Sequence, residues 1–363
     1  MKRREFLTAA GAGVAASTAV AMPAIAQSNP EIRWRCTSSF PKSLDTIFGA
    51  SELMARTVAE ATDGKFQIQV FAAGEIVPGL QALDATQNKS VEMCHSASYY
   101  YVGKDPTFGM GTAIPFGFNA RQINAWFLFG NGLTLLNEFY KKYNVVMFPG
   151  GNTGGQMGGW FRKEIKTVAD LQGLKMRIAG MGGQVLAKLG VVPQQLPAGD
   201  IYPSLEKGTI DAAEWVGPYD DERLGLYKVA KFYYYPGWWE GSAALNFFVN
   251  QEKLAELPKT YRAVLTSAMA QANESMLASY DAKNPVAIQS LVRAGTQLKR
   301  SPPDVMDAAY KAAHQIFDEI SAKNEDFKKI YEDMKAFRNN SYLWWQIVEF
   351  TYDDFMIRAR ARG

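Results

Sequence analysis

Ile32-Arg33-Trp34-Arg35-Cys36 alternates apolar and polar residues, the mark of a half-buried strand. A helical stripe of Leu44, Ile47, Phe48, Ser51, Ala55 and Val58 follows, with Ser43 as its N-cap and Gly64 as its stop. Phe66, Ile68 and Val70 then alternate with Gln67 and Gln69, and a short helix near 79–88 leads to a third strand at 91–97. This β-α-β-α-β order restricts the chain to an open α/β sheet. It returns after Val145-Val146-Met147-Phe148-Pro149, with a glycine-rich stretch at 150–159 and a strand at Lys175-Met176-Arg177-Ile178. Helices near 182–189 and 200–207 and a strand from Asp211 to Trp215 complete the second set. Two α/β units with crossings near 150 and 240 predict a two-lobed body, whose cleft favours a ligand.

From about residue 258 helices dominate: one running past 290, one at about 303–322, and one with breaks at about 326–359. The last carries Ile330, Met334 and Phe337, then Trp344, Ile347 and Phe350, an apolar stripe too wide for one small surface. It reads either as packing on its own body or as contact with a second subunit.

The first 26 residues read as an export address. Arg3-Arg4-Glu5-Phe6-Leu7, a mildly apolar middle and Ala24-Ile25-Ala26 match a twin-arginine signal with its cleavage site. Cutting there removes Lys2, Arg3, Arg4 and Glu5 and lowers the net charge of +3 by two. No later stretch has 18 consecutive apolar residues, so the expected product is a periplasmic protein with no membrane span. With 39 basic and 36 acidic residues, overall charge gives nucleic-acid binding no support.

Catalytic signatures are thin. Only Cys36, Cys94, His95 and His314 are available, too few for a Cys/His zinc site, and no Gly-x-Ser-x-Gly, His-Glu-x-x-His or Cys-x-x-Cys occurs. The two cysteines read as a disulfide or as small buried strand residues. His95 beside Cys94 makes a poor thiol–histidine pair, because adjacent strand residues face opposite ways.

Three features could carry chemistry. Arg177 projects from the strand face opposite Met176 and Ile178, where a guanidinium can hold a carboxylate or make a surface salt bridge. Glu214 in Ala213-Glu214-Trp215-Val216 and Glu240 in Trp238-Trp239-Glu240-Gly241 are either solvated loop residues or buried carboxylates that need a cation. Oxygen ligands in such a setting suit Na⁺ or Ca²⁺. Asn152 and Gln156 sit on a glycine-rich backbone free to approach a ligand, unless that stretch is a plain turn; it lacks the ending of a phosphate loop. The clusters Tyr99-Tyr100-Tyr101 and Tyr233-Tyr234-Tyr235 are mostly packing, with one or two hydroxyls that could reach a ligand.

Asp170-Leu171-Gln172-Gly173-Leu174-Lys175-Met176-Arg177 and Leu196-Pro197-Ala198-Gly199-Asp200-Ile201-Tyr202-Pro203 onward to Glu214 resemble the substrate-binding subunits of TRAP transporters, the DctP-like family, and the likeness extends over nearly the whole mature chain. Ser38-Ser39-Phe40-Pro41-Lys42-Ser43-Leu44-Asp45, Gly150-Gly151-Asn152-Thr153-Gly154 and Glu214-Trp215-Val216-Gly217-Pro218-Tyr219-Asp220-Asp221 look most like its α-keto acid-binding branch.

The resemblance implies an α/β, type II-like periplasmic binding protein that closes on a small 2-oxo monocarboxylate such as pyruvate or 2-oxobutyrate. Lobe I would span 28–150 with about 241–290, and lobe II 151–240 with about 291–325. Long helices connect the lobes, and 326–363 forms a C-terminal helix exchanged in a homodimer. Arg177 would take the carboxylate. Gln156, Glu214, the carbonyl of Trp215 and Glu240 would hold a metal ion, Na⁺ ahead of Ca²⁺. Asn152 and Tyr101 would add hydrogen bonds, and Phe40 and Trp215 would wall the alkyl end. A 2-oxo acid differs from a fatty acid by one acceptor oxygen, which a hard cation can chelate together with a carboxylate oxygen. The small and large membrane subunits of the permease are the implied partners. Lactate or another 2-hydroxy acid is the alternative ligand. A periplasmic enzyme and a sensor-associated binding protein are the other readings.

Overall fold

Burial follows the alternation on the first strand, β1 (Ile32–Ser38): Trp34 and Cys36 are buried and Arg33 and Arg35 exposed. With β2 (Phe66–Phe71), β3 (Met93–Ser96), β4 (Val145–Asn152) and β10 (Ala244–Asn250) it forms a five-stranded sheet of order β2-β1-β3-β10-β4. β1 runs parallel to β2 and β3, whereas β10 enters antiparallel to both β3 and β4. Its seven residues are all buried, as a central strand covered on both faces requires. These coordinates are a computed structural model that describes residues 30–362, so the expected signal at 1–26 lies outside the described residues.

The second sheet holds β5 (Trp160–Phe161), β6 (Lys175–Arg177), β7 (Val192–Gln194), β8 (Ala212–Ala213), β9 (Phe232–Tyr235) and β11 (Gln297–Arg300), in the order β11-β9-β5-β8-β6-β7. The segment after β4 and the one between β9 and β10 carry the chain from one sheet to the other. Both segments bear residues singled out by sequence.

Eleven α-helices of the described residues pack around the sheets. Beside the first lie α1 (Gly49–Ala61), α2 (Ala82–Gln87), α3 (Ala120–Phe129) and α4 (Gly132–Tyr140). Within the second unit are α5 (Gly180–Lys188), α6 (Ala198–Glu206) and α7 (Pro218–Arg223). α8 (Gln251–Glu256) precedes the 35-residue α9 (Lys259–Arg293), and α10 (Pro303–Ser321) and α11 (Glu325–Arg360) close the chain. α9 packs on α1 and β4 from the first unit and on α7 from the second. It spans both.

Two helix expectations change. Ser43 is exposed and caps nothing; α1 starts six residues later, because Leu44, Ile47 and Phe48 reach the core from isolated turns. The last helix has no break: α11 is continuous for 36 residues. Its buried residues are Phe327, Ile330, Tyr331 and Met334, whereas Trp344, Ile347 and Phe350 are each at least 60% exposed. None of the described helices is long and apolar enough to cross a membrane.

Cys36 and Cys94 are both buried and unpaired. Cys36 stands opposite Met93 and Cys94 opposite Thr37, so the one-residue offset sends their side chains to opposite sheet faces.

Candidate functional site

Arg177 ends β6 and pairs in register with Ala213 of β8, which brings it beside Glu214. The two side chains form an ion pair that is about 1% exposed on each side. Arg177 Nη1 also donates to the Glu214 carbonyl at 2.5 Å, and Nε donates to the Leu196 carbonyl at 3.1 Å. Glu214 Oε1 accepts a second bond from the Ala179 N–H at 3.1 Å. Nη2 and Oε2 remain buried with no partner. The sequence reading leaves Arg177 either on the surface or at a ligand; it is in the interior, with one guanidinium nitrogen unspent.

Glu240, in the β9–β10 segment, is 2% exposed, and neither carboxylate oxygen has a hydrogen bond of normal geometry. Burial and the Glu214 carboxylate push its pKa well above the usual range; the Arg177 charge, the Tyr99 hydroxyl and the Gln156 amide pull the other way. Burial likewise raises Glu214 against the opposing pull of Arg177. For Arg177 burial works against the charge, and Glu214, Tyr100, Tyr99 and Glu240 outweigh it, so its pKa rises.

With both ionised, two buried carboxylates and one guanidinium leave a formal excess of one negative charge, which is costly without a further cation. Gln156 donates Nε2 to Thr153 Oγ1 at 3.0 Å and keeps Oε1 free of partners. Spare acceptors are therefore Gln156 Oε1, Glu214 Oε2 and both Glu240 oxygens. This donor set is all oxygen and fits a hard cation. Among the described residues no three of His, Cys, Asp and Glu gather at one point, so a cation would also draw on amide or backbone oxygen.

Asn152, the last residue of β4, accepts the Gly154 N–H at 2.9 Å and leaves Nδ2 buried and unpaired. Gly159 closes this segment at φ +85°, where a Cβ would lie 2.8 Å from the Ala213 carbonyl oxygen and 3.2 Å from Glu214 Cα. Only glycine lets the crossover approach Glu214 so closely.

The tyrosine expectation needs a correction. Ser98–Tyr101 is a 3₁₀ turn, whose three residues per turn send successive side chains in three directions. Tyr99 interacts with Glu240 and Tyr100 with Arg177. Tyr101 turns back into the first unit, where its hydroxyl accepts the Leu83 N–H at 3.0 Å and bonds Ser96 Oγ at 3.0 Å. Tyr101 is therefore not at the ion pair; Tyr99 and Tyr100 are.

Phe40, from the loop after β1, meets the Trp215 ring edge-on at 6.4 Å and Tyr100 at 6.4 Å, and the Arg177 guanidinium lies 5.0 Å from the Trp215 ring. Residues from both sheets thus enclose the charged groups with aromatic walls. A neighbouring cavity of about 470 Å³, bounded by Phe116, Trp238, Tyr310 and Arg338, includes none of Arg177, Glu214 or Glu240.

Sequence reasoning gives Asp220 and Asp221 no role beyond closing one motif of the resemblance. Both are buried on α7, and burial pushes their pKa values up to about 7 and about 6. An acidic doublet set among aromatic clusters was the available signal.

Two α/β sheets whose crossover segments bring buried Arg177, Glu214 and Glu240 together among aromatic side chains define the class: a two-lobed solute-binding protein. Residues 37–324 match the family described as bacterial extracellular solute-binding protein, family 7 (DctP), and the chain belongs to that family. A monocarboxylate 2-oxoacid-binding periplasmic protein of Nostoc sp. is 50% identical over 360 residues, 98% of this chain and 99% of the relative. A TRAP transporter solute-binding protein of Bordetella bronchiseptica, solved as a mixed-occupancy dimer with calcium and picolinate in one active site, is 52% identical with a TM-score of 0.91 over 92% of this chain and 99% of that one. The Pseudoalteromonas atlantica protein with bound sodium and pyruvate is 39% identical with a TM-score of 0.87, covering 89% of this chain and 99% of its own. The Colwellia psychrerythraea protein with bound calcium and pyruvate is 37% identical, with the same TM-score and coverages. The chain is thus a periplasmic TRAP-type binding protein and not an enzyme.

Proposed function

We propose that this protein captures a small 2-oxo monocarboxylate, pyruvate or 2-oxobutyrate in kind, together with Na⁺ or Ca²⁺, and delivers it to the small and large membrane subunits of a TRAP transporter. One observation carries the reading: four spare buried acceptor atoms, on Gln156, Glu214 and Glu240, occur with a spare Arg177 nitrogen inside one aromatic enclosure. Arg177 Nη2 binds the carboxylate, helped by Asn152 Nδ2 and the Tyr100 hydroxyl. Gln156 Oε1, Glu214 Oε2, the Trp215 carbonyl and Glu240 hold the cation, which when bound supplies a Lewis-acidic contact to the carboxylate and 2-oxo oxygens. Phe40 and Trp215 exclude water from the alkyl end, so both ionic contacts act at low dielectric. The relatives with pyruvate support the ligand class and leave the ion open between sodium and calcium.

Lobe I is taken as 28–150 with about 241–290, lobe II as 151–240 with about 291–325, and 326–363 as a dimerisation helix in a homodimer. Export by the twin-arginine route completes the proposal. Calorimetry on protein stripped of calcium and sodium, then replenished, tests the site. Pyruvate binding should disappear on stripping and return with either ion, and propionate, which lacks the oxo oxygen, should bind at least about 100-fold more weakly. Equal binding of pyruvate and propionate, or ion-independent binding, refutes it.

A further inference from the structure

Asp220 and Asp221 are neighbours on α7, yet they serve different aromatic groups, because adjacent helix residues point about 100° apart. Asp221 Oδ2 accepts the Trp160 indole N–H at 2.9 Å and the Tyr233 hydroxyl at 2.7 Å, and Oδ1 accepts the Val216 N–H at 3.2 Å. Trp160 and Tyr233 stack at 3.9 Å on adjacent strands, so Asp221 belongs to the scaffold of the second sheet. Asp220 repeats the pattern of one indole and one phenol on one oxygen, but with Trp215 at 3.2 Å and Tyr280 at 2.7 Å. The Trp215 ring stands against Phe40 and the Arg177 guanidinium. Tyr280 lies on α9, the helix that spans both units.

The Trp215 ring is thus held on its face by Arg177 and at its N–H edge by Asp220. We propose that Asp220 is a positioning residue for ligand size: by accepting the Trp215 N–H it fixes the plane of the wall opposite Phe40, and with it the alkyl length the chamber admits. This rests on reading the chamber as a 2-oxo acid site. Without that acceptor the buried N–H is unsatisfied, and the ring turns to find another partner. The wall then loses its fit to a short chain, and selectivity, a difference of two affinities, shifts.

The test measures dissociation constants for pyruvate and 2-oxohexanoate, and the ¹⁵N-indole resonance of Trp215 in ligand-free protein. Asp220→Ala is expected to shift the ratio of the two constants about tenfold toward 2-oxohexanoate and to move the indole resonance. Asp220→Asn keeps an acceptor oxygen and should stay within about threefold of wild type. An unchanged ratio in Asp220→Ala, or an equal shift in Asp220→Asn, overturns the proposal. If Asp220→Ala does not fold, Tyr280→Phe, which removes the other donor on Oδ2, takes its place; a smaller shift in the same direction is expected, and no shift overturns the proposal. Failure of wild type to bind either acid refutes the ligand class instead, and the indole resonance then decides the role of Asp220.

Discussion

Arg177→Lys separates ligand binding from folding at the most constrained atom of the site. The guanidinium has five N–H groups. Nε is spent on Leu196 and Nη1 on the Glu214 carbonyl and carboxylate, which leaves the two hydrogens of Nη2. A lysine keeps the positive charge beside Glu214 but has three donors on one atom, and contacts already made by the protein consume them. The ligand therefore loses one or two charge-assisted hydrogen bonds at roughly 1.5–3 kcal/mol each. About 3–4 kcal/mol corresponds to a rise of 10²–10³-fold in the dissociation constant. Folding suffers less, since Glu214 retains a cationic partner. Arg177→Ala is the poorer probe: an unpaired Glu214 in the interior costs about 3–5 kcal/mol of stability and confounds the two effects. Titration calorimetry with pyruvate at fixed Na⁺ or Ca²⁺, paired with thermal unfolding of ligand-free protein, reads both. A dissociation constant within about threefold of wild type in a folded Arg177→Lys protein would refute the assignment of Nη2 to the carboxylate.

Between the loop after β1 and helices α7 and α9, Asp45 accepts the Tyr219 hydroxyl at 3.0 Å and Arg223 Nη2 at 3.3 Å and lies 3.6 Å from Lys283 Nζ. These contacts are exposed, so Asp45→Ala should speed ligand release only a few-fold, and less in high salt, by stopped-flow fluorescence; a 100-fold change would show another role. His95 is buried and donates Nε2–H to the Gly150 carbonyl at 3.0 Å, and burial outweighs that bond to pull its pKa down to about 4. Between about 6.5 and about 4 the unfolded chain binds the proton that the folded one refuses, so stability falls as pH drops through that window, by up to about 3 kcal/mol from this group. His95→Gln should remove that part, and melting curves of the two proteins that stay parallel between pH 7 and 4.5 would argue against it. Trp344→Glu with Phe350→Glu should convert a dimer to a monomer by light scattering, whereas a wild-type monomer would exclude α11 as a dimerisation helix.

Elements set by local pattern were legible. Alternation placed Arg177 opposite Met176 on its strand, and the chain segments holding Asn152, Gln156 and Glu240 stood out by composition. What escaped depends on geometry or on distant partners. Three tyrosines in a row look equivalent in sequence, and only the 3₁₀ turn decides that Tyr99 and Tyr100 face the charges while Tyr101 meets Leu83 and Ser96. Asp220 gains its meaning from Tyr280, 60 residues away. Asn339-Asn340-Ser341 weakens helix propensity inside α11, yet the helix continues, because propensity is a small term over 36 residues.

On the proposed reading, charge balance permits either of the ions bound by the relatives. Arg177, Glu214 and Glu240 sum to one negative charge, and a monocarboxylate makes two. Water cannot screen this in an enclosure whose charged groups are at most 2% exposed. A divalent ion would bring the total to zero with Glu240 ionised. A monovalent ion would do the same with Glu240 protonated, the state toward which burial and Glu214 already push it. On that reading the same side chains give two neutral arrangements, and Glu240, whose oxygens lack hydrogen bonds of normal geometry, is the residue that can differ between them. Arg177 and Glu214 cannot, because each is committed to the other and to backbone groups of the second sheet.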